Sequence, residues 1–308
     1  MKYLIVIVGP TAIGKTSLSI RVAQHYDCEI VSADSRQFFK EMRIGTAVPS
    51  AKELSAVKHH FIHNKSIEDD YTVGTFEKEA MQKLDELFKT NDFAILVGGS
   101  GLYIEAILKG LDEFPEIDPA IREFIAAKYE KSGISFLQKE LKKRDPLYYE
   151  TVDIANPQRL MRALEVCKTS GRPYSSFLNV KKNERPFIPI IIGIEAQRKV
   201  IYERINSRVD EMLEDGFVEE AKSLLPYQHL NALQTVGYRE MFSHFAGDYS
   251  FDFAISEMKK NTRRFAKRQL TWFKKNDKIK WFDYETPDKP IIKYIKSVVK
   301  LEPWHGES

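Results

Sequence analysis

The residues best placed to do chemistry lie close to the start of the chain, in Gly9-Pro10-Thr11-Ala12-Ile13-Gly14-Lys15-Thr16. Their spacing is G-x-x-x-x-G-K-T. Backbone N–H groups of such a loop, and of the helix it opens, converge on an anion. Lys15 adds a charge against phosphate oxygens, and the Thr16 hydroxyl suits a magnesium ion. An apolar run precedes the motif and an amphipathic stretch follows it, as a strand–loop–helix phosphate site requires. The expected chemistry is group transfer at a bound pyrophosphate.

A nucleoside triphosphatase of this kind also needs a carboxylate at a later strand end to hold its metal. Here the run Phe93–Val97 ends in Gly98-Gly99-Ser100-Gly101, with no acid. Glycines let a backbone or ligand approach closely, so this end reads as an opening for a bulky group. The nearest acid is Asp34, just past a second apolar run. Ligands of open α/β sheets bind at the carboxyl ends of strands, which brings the loop, Asp34 and Ser100 together. Asp34 and Ser100 read equally well as helix N-caps.

These groups need a scaffold. Four apolar runs, Lys2–Val8, Cys28–Ser32, Phe93–Val97 and Ile188–Ile194, suit buried parallel strands. Helical patterns follow them at Lys15–His25, Thr75–Thr90, Gly101–Lys109 and Arg198–Asp215. The expected fold is α/β: a P-loop-type parallel sheet with helices on both faces. From Phe114 to Pro186 the alternation stops, and Asp118-Pro119 and Asn156-Pro157 read as N-caps with proline at the first helical position. A helical insertion over 114–186 is expected, with the catalytic core over 1–113 and 187–308. Neither Gly nor Pro occurs from Tyr249 to Glu285, which permits a long helix.

Composition narrows the function classes. The two cysteines of the 308 residues, Cys28 and Cys167, have no paired spacing, which speaks against a disulfide framework or a zinc site. The first apolar run is too short for a membrane span, so a cytoplasmic protein without membrane attachment is expected, as a monomer. Between Lys259 and Lys280 ten Lys/Arg face one acid, a net +9 in a chain of +3. Such a block on a mildly acidic body suggests a polyanionic partner. On a helix, Phe251, Ile255, Met258, Phe265, Gln269 and Phe273 share one side. Arg263, Arg264, Lys267, Arg268, Lys274 and Lys275 share the other, with no acid among them. Phosphate-backbone binding is the expected use of that face.

Several segments together resemble one family: GPTAIGKT (9–16), SADSRQFFKEMRIGTAVP (32–49), LVGGSGLYI (96–104), NPQRLMRALEV (156–166), RVDEML (208–213), TVGYREM (235–241) and AKRQLTWF (266–273). In this order they are similar to the tRNA dimethylallyltransferases, over nearly the whole chain. The resemblance implies that a dimethylallyl group passes from dimethylallyl diphosphate to the exocyclic amine of the adenosine 3′-adjacent to the anticodon, and that pyrophosphate leaves. The loop would then hold the donor's pyrophosphate, with Lys15, Thr16 and magnesium on it. It implies Asp34 as general base or orienter of the amine and Arg239 as a pyrophosphate contact. RNA contacts are implied at Asp34, Ser35, Arg36, Gln37, Ser100 and Arg122, and across Gln158, Arg159, Leu160, Met161 and Arg162. On a helix from Pro157, Leu160, Leu164 and Cys167 make one apolar stripe, from which Gln158 and Arg162 project away. A solvated polar face would look the same. The charge pattern adds Lys267 and Arg268. The adenine must leave its stack to be reached, and Gly98–Gly101 suits the wall of that channel.

Phe39, Val48, His63, Asn156 and Ser100 depart from the residues common in the family. His59, His60 and His63 lack a thiolate or carboxylate at ligand spacing, and a structural or surface role is expected. Three other readings remain: a prenyltransferase of free adenine nucleotides, a P-loop small-molecule kinase, and an RNA-binding protein with a vestigial loop.

Overall fold

A computed structural model describes residues 1–178 and 184–301. Six strands form one sheet: β1 (Tyr3–Val8), β2 (Ile30–Ser32), β3 (His59–His60), β4 (Phe93–Gly98), β5 (Ile188–Glu195) and β6 (Lys280–Asp283). Their order is β3-β2-β4-β1-β5-β6, and every pairing is parallel. This is the α/β class expected from the apolar runs. β3 and β6 are additions at the two edges. Both are short, β3 is two histidines, and β6 begins with Lys280 inside the basic block, so neither stood out as an apolar run.

Along β1, side chains alternate between the faces. Tyr3, Ile5 and Ile7 pack with the helices Lys15–Tyr26, Arg198–Glu214 and Asp288–Leu301. Leu4, Val6 and Val8 pack with Val73–Thr90 and Gly101–Lys109. All six β1 side chains are buried, which is why the strand reads as an unbroken apolar run. A third cluster gathers Phe39 and Met42 with Phe217, Leu233 and Tyr238. In the register, Val8 lies beside Gly98 and Ser32 beside Val97, so the three strands end level. The loop after β1, Asp34 after β2 and Ser100 after β4 therefore share one rim.

The chain divides into two compact units, Met1–Leu108 with Arg185–Ser308, and Lys109–Glu184. The second unit holds Pro119–Ser132, Ile134–Arg144 and Pro157–Ser170 around Ile125, Leu137, Leu141, Leu160 and Leu164. Asp118 caps its helix through Ala120 N and Asn156 through Arg159 N, each with proline in the first turn. Residues 179–183 and 302–308, which fall within the expected insertion and core, lie outside the described residues.

The expected long helix is shorter than glycine-free and proline-free sequence permits. The basic helix runs from Phe251 to Phe273, and the chain then turns into β6. Its buried residues are Ala254, Met258, Ala266, Gln269 and Phe273. Phe251 and Phe265, expected on that buried side, are exposed. The stripe is narrower than a uniform apolar face because successive parts of the helix pack on different elements.

Candidate functional site

The loop after β1 departs from ordinary backbone at two positions. Ala12 takes a left-handed φ of 64° and Gly14, which opens the helix Lys15–Tyr26, a φ of 103°. Arg204 and Arg208, one turn apart on the helix Arg198–Glu214, reach into it. Arg204 Nε donates to Ala12 O at 2.7 Å, and Arg208 Nη1 lies 3.4 Å from Thr11 Oγ1. Lys15 Nζ donates to Pro10 O at 2.8 Å. Burial pushes the Lys15 ammonium down to about 8; Asp34 opposes that shift and Arg208 adds to it. Burial and the Arg204 guanidinium likewise lower Arg208. Crowded, desolvated cations of this kind favour an anion among them. RVDEML carried Arg208 in the sequence without suggesting a role for it. Arg204 was missed, since a lone arginine on an amphipathic helix gives no signal.

Asp34 starts no helix. It heads a turn in which its Oδ1 accepts Arg36 N at 3.1 Å. Its Oδ2 makes no hydrogen bond among the described residues. Ser100 precedes the helix Gly101–Lys109, but its hydroxyl joins β4 to β2 by accepting Ser35 N and donating to Ser35 Oγ, each at 3.1 Å. Arg36 donates to the carbonyls of Asn231 and Ala232, and Gln37 to those of Thr46 and Ala47. Both side chains thus hold the turn in place, Arg36 through Nη1 and Gln37 through Nε2.

The glycine-lined strand end is closer to the protein than expected. A Cβ at Gly98 would lie 2.5 Å from Ala33 O. One at Gly99 would meet Gln269 Nε2, and one at Gly101 the Trp272 ring. Part of the space that the sequence suggested for a ligand admits the basic helix instead. Two cavities remain at this rim. One, of about 790 Å³, runs from the loop, Lys15 and Thr16 past Asp34 to Arg204 and Arg208. The other, of about 510 Å³, holds Asp34, Ser100, Arg239, Phe265 and Trp272. Thr11, Asp34, Arg208, Phe265 and Gln269 line both. Arg239 stands exposed in the first turn of Tyr238–Phe245, and its guanidinium makes no hydrogen bond or ion pair among the described residues.

The loop Arg43–Val48, which lines the first cavity, has its own anchor. Glu220 accepts Arg43 N, Ile44 N and Gly45 N at 3.0, 2.8 and 2.9 Å. Gly45 is required there because a Cβ would strike Phe217 and Tyr238. Of the three histidines, His60 Nε2 meets Glu29 Oε2 at 2.5 Å, His59 Nδ1 meets Val57 O at 2.8 Å, and His63 carries a left-handed φ of 50°. Among the described residues no group of three or more His, Cys, Asp or Glu is placed to hold a metal.

The basic helix is only partly an open cationic face. Lys274 pairs with Glu195 on β5 at 2.5 Å, Lys259 with Asp210 at 2.5 Å, and Arg263 donates to Asn206 at 2.9 Å. These partners come from other elements, which a helical projection cannot show. Lys267, Arg268 and Lys275 are exposed without an acidic partner among the described residues, around a hollow that also includes Arg264, Thr271 and Trp272.

In the second unit Gln158 and Arg159 are exposed. Arg122 and Arg162 approach the buried Glu165 at 3.7 and 3.6 Å, and Arg162 also stacks on Phe114. Leu160 is a correction: it is fully buried beside Leu164, so its side chain is closed to RNA. Met161 packs partly against the same core. No helix among the described residues is long and apolar enough to cross a membrane.

Comparison with known proteins follows the same lines. The IPP transferase family model matches residues 37–276. A tRNA dimethylallyltransferase of Flavobacterium johnsoniae is 63% identical over 306 residues, 97% of this chain and 99% of that protein. The crystal structure of a tRNA isopentenylpyrophosphate transferase from Bacillus halodurans has a TM-score of 0.71 at 34% identity, covering 97% of this chain and 96% of that one. A eukaryotic dimethylallyltransferase acting on tRNA has a TM-score of 0.83 over 100% of this chain and 82% of that one. At 23% identity it bears on the fold alone.

Proposed function

The chain belongs to the IPP transferase family, a family of enzymes, and on that premise we propose that it transfers a dimethylallyl group from dimethylallyl diphosphate to the exocyclic amine of the adenosine beside a tRNA anticodon. The observation that carries this reading is the juxtaposition of two different cavities at Asp34. On one side lies a cationic cradle; on the other lies a chamber walled by Trp272, with Phe265 shared between the two.

The donor's pyrophosphate sits on the loop Gly9–Thr16, against Lys15, Arg208 and Arg204. The adenine, turned out of its stack, enters by the aromatic chamber. The amine nitrogen forms a bond to C1 of the dimethylallyl group as the C1–O bond breaks. The bonding electrons leave with the pyrophosphate, whose growing charge Lys15 and the arginines offset. Asp34 holds the amine through Oδ2 and takes its proton, while Oδ1 keeps the turn. Arg239 lines the aromatic chamber, and its unpaired guanidinium there faces the donor from the adenine's side. The Thr16 hydroxyl suits a magnesium ion that takes most of its ligands from phosphate and water. When bound, that ion supplies charge neutralisation to the leaving pyrophosphate. The tRNA backbone follows Lys267 and Arg268 on the basic helix. It also meets Arg122, Gln158, Arg159 and Arg162 of the insertion, with Ser35 and Ser100 at the rim.

Incubation of unmodified tRNA with the protein, magnesium and labelled dimethylallyl diphosphate tests the reading. Label is expected at one adenosine of the anticodon loop. Label on free adenine nucleotides but on no tRNA overturns it, as does transfer of γ-phosphate from ATP without prenyl transfer.

A further inference from the structure

The carboxylate next to Arg239 in the chain is buried. Glu240 is 4% exposed, in the first turn of the helix Tyr238–Phe245. Burying a charge without a charged partner is costly, yet Glu240 takes two neutral donors. Its Oε2 accepts Gly237 N at 2.7 Å, and its Oε1 accepts Asn261 Nδ2 at 2.8 Å. The positive end of the helix offsets part of the cost. A carboxylate accepts at both oxygens, whereas an amide would turn a donor toward one of these partners.

Both partners bear on Arg239. Gly237, at a left-handed φ of 98°, is where the chain turns into this helix, and Arg239 N donates to Thr235 O across the turn at 3.2 Å. The hydrogen bond on Gly237 N therefore fixes the backbone that carries Arg239. The turn is closely packed, since a Cβ at Gly237 would lie 3.2 Å from Met258 Cε and from Phe217 Cζ. Asn261 belongs to the basic helix, one turn from Met258 and Phe265, which line the same chamber as Arg239. Its amide is oriented from both ends, because Oδ1 accepts Arg264 Nη1 at 3.2 Å. Glu240 thus ties the Arg239 turn to the helix that walls the chamber.

We propose that Glu240 and Asn261 are positioning residues, which hold Arg239 toward the donor's pyrophosphate. Neither lines either cavity, so both act through the arginine. Fixing the backbone under a long side chain lowers the cost of ordering it on an anion. The proposal rests on the reading of Arg239 as a pyrophosphate contact.

The test is a double-mutant cycle on the full chain, read as affinity for magnesium pyrophosphate by calorimetric titration, with urea midpoints to check folding. Glu240→Gln sets an amide donor against Asn261 Nδ2 or Gly237 N and is expected to weaken binding about three- to tenfold. Arg239→Ala should weaken it at least as much. In the Arg239→Ala background Glu240→Gln should then cost nothing further, which a general loosening of the fold would not reproduce. Asn261→Asp alone sets two carboxylates together and should also weaken binding. Combined with Glu240→Gln it restores the contact, because the new amide donates to the new carboxylate while its oxygen accepts Gly237 N. Affinity should return close to wild type.

Wild-type affinity in Glu240→Gln and Asn261→Asp, with Arg239→Ala weakened, overturns the proposal. So do effects of Glu240→Gln and Arg239→Ala that multiply, or a double exchange no better than either single one. If Glu240→Gln does not fold, Asn261→Asp with and without Arg239→Ala completes the same cycle. Wild-type affinity in Arg239→Ala removes that arginine from the pyrophosphate site and the proposal with it. Prenyl transfer to tRNA by the wild type is assayed in parallel. A coupled pair without transfer overturns the functional reading and leaves the roles of Glu240 and Asn261 standing.

Discussion

The Tyr238 hydroxyl donates to Glu220 Oε1 at 2.7 Å, on the carboxylate that also gathers the N–H groups of Arg43, Ile44 and Gly45. Two segments far apart in the chain, IGTA and VGYRE, thereby meet on one side chain that belongs to neither. Burial, and then the neighbouring Glu220 carboxylate, push the Tyr238 phenol up, so it stays a donor across the working range.

Tyr238→Phe removes a hydrogen bond to a charged acceptor while keeping the ring packed on Phe217. A loss of about 1.5–3 kcal/mol in unfolding free energy is expected. Urea denaturation measures it. Glu220→Gln should cost as much or more, since four donors lose the charge they face. Wild-type midpoints in both variants would remove this carboxylate from the architecture of the Arg43–Val48 loop.

Lys15 gives a pH dependence. Burial holds its ammonium near 8 in the free protein, so it is charged below that pH and neutral above it. A bound diphosphate favours the charged form and moves the titration upward. The kcat/KM for the donor, which reports the free enzyme, should fall as pH rises through about 8, while kcat stays level to higher pH. A kcat/KM that is flat well above pH 8 contradicts a lowered Lys15.

Four of the six strands were legible because they are buried on both faces, and β1, β4 and β5 read as apolar runs for that reason, whereas the short edge strands β3 and β6 did not. The shared position of the glycine loop and Asp34 at one rim was legible from strand-end position. Other parts were hidden for physical reasons. The acids that neutralise Lys259 and Lys274, namely Asp210 and Glu195, lie on other elements. Gln269 falls among apolar positions on its helix, and nothing local marks it as the link between Thr11 and Gly99. Arg204 acts only because Arg198–Glu214 packs beside the loop. In each case the missing information is a tertiary neighbour.

The basic helix separates into paired and unpaired cations, and salt should distinguish them. Lys267→Ala and Arg268→Ala are each expected to lower the slope of log affinity for tRNA against log salt by about 0.7–0.9. Lys274→Ala, whose ammonium already faces Glu195, should change the slope much less. The comparison is made by filter binding or fluorescence anisotropy across a salt series. Equal slopes in all three variants would assign Lys267 and Arg268 to ordinary solvation.

The proposed function gives the two oxygens of Asp34 two tasks, the turn for Oδ1 and the amine for Oδ2, and two substitutions separate them. Asp34→Asn keeps an acceptor for Arg36 N and so keeps the turn, but it loses the charge that draws a proton from the amine. Turnover is expected to fall by about 10²–10⁴-fold, with tRNA affinity and the melting temperature close to wild type. Asp34→Ala loses the turn acceptor as well, and adds a destabilisation of about 0.5–1.5 kcal/mol for the missing hydrogen bond. The assay is single-turnover transfer of labelled donor to saturating tRNA, beside thermal denaturation of both variants. If Asp34→Asn turns over like the wild type while Asp34→Ala fails, the carboxylate serves the turn alone and the amine is deprotonated elsewhere. If both fail in transfer and only the alanine variant is destabilised, the free oxygen belongs to the chemistry and the bonded one to the fold.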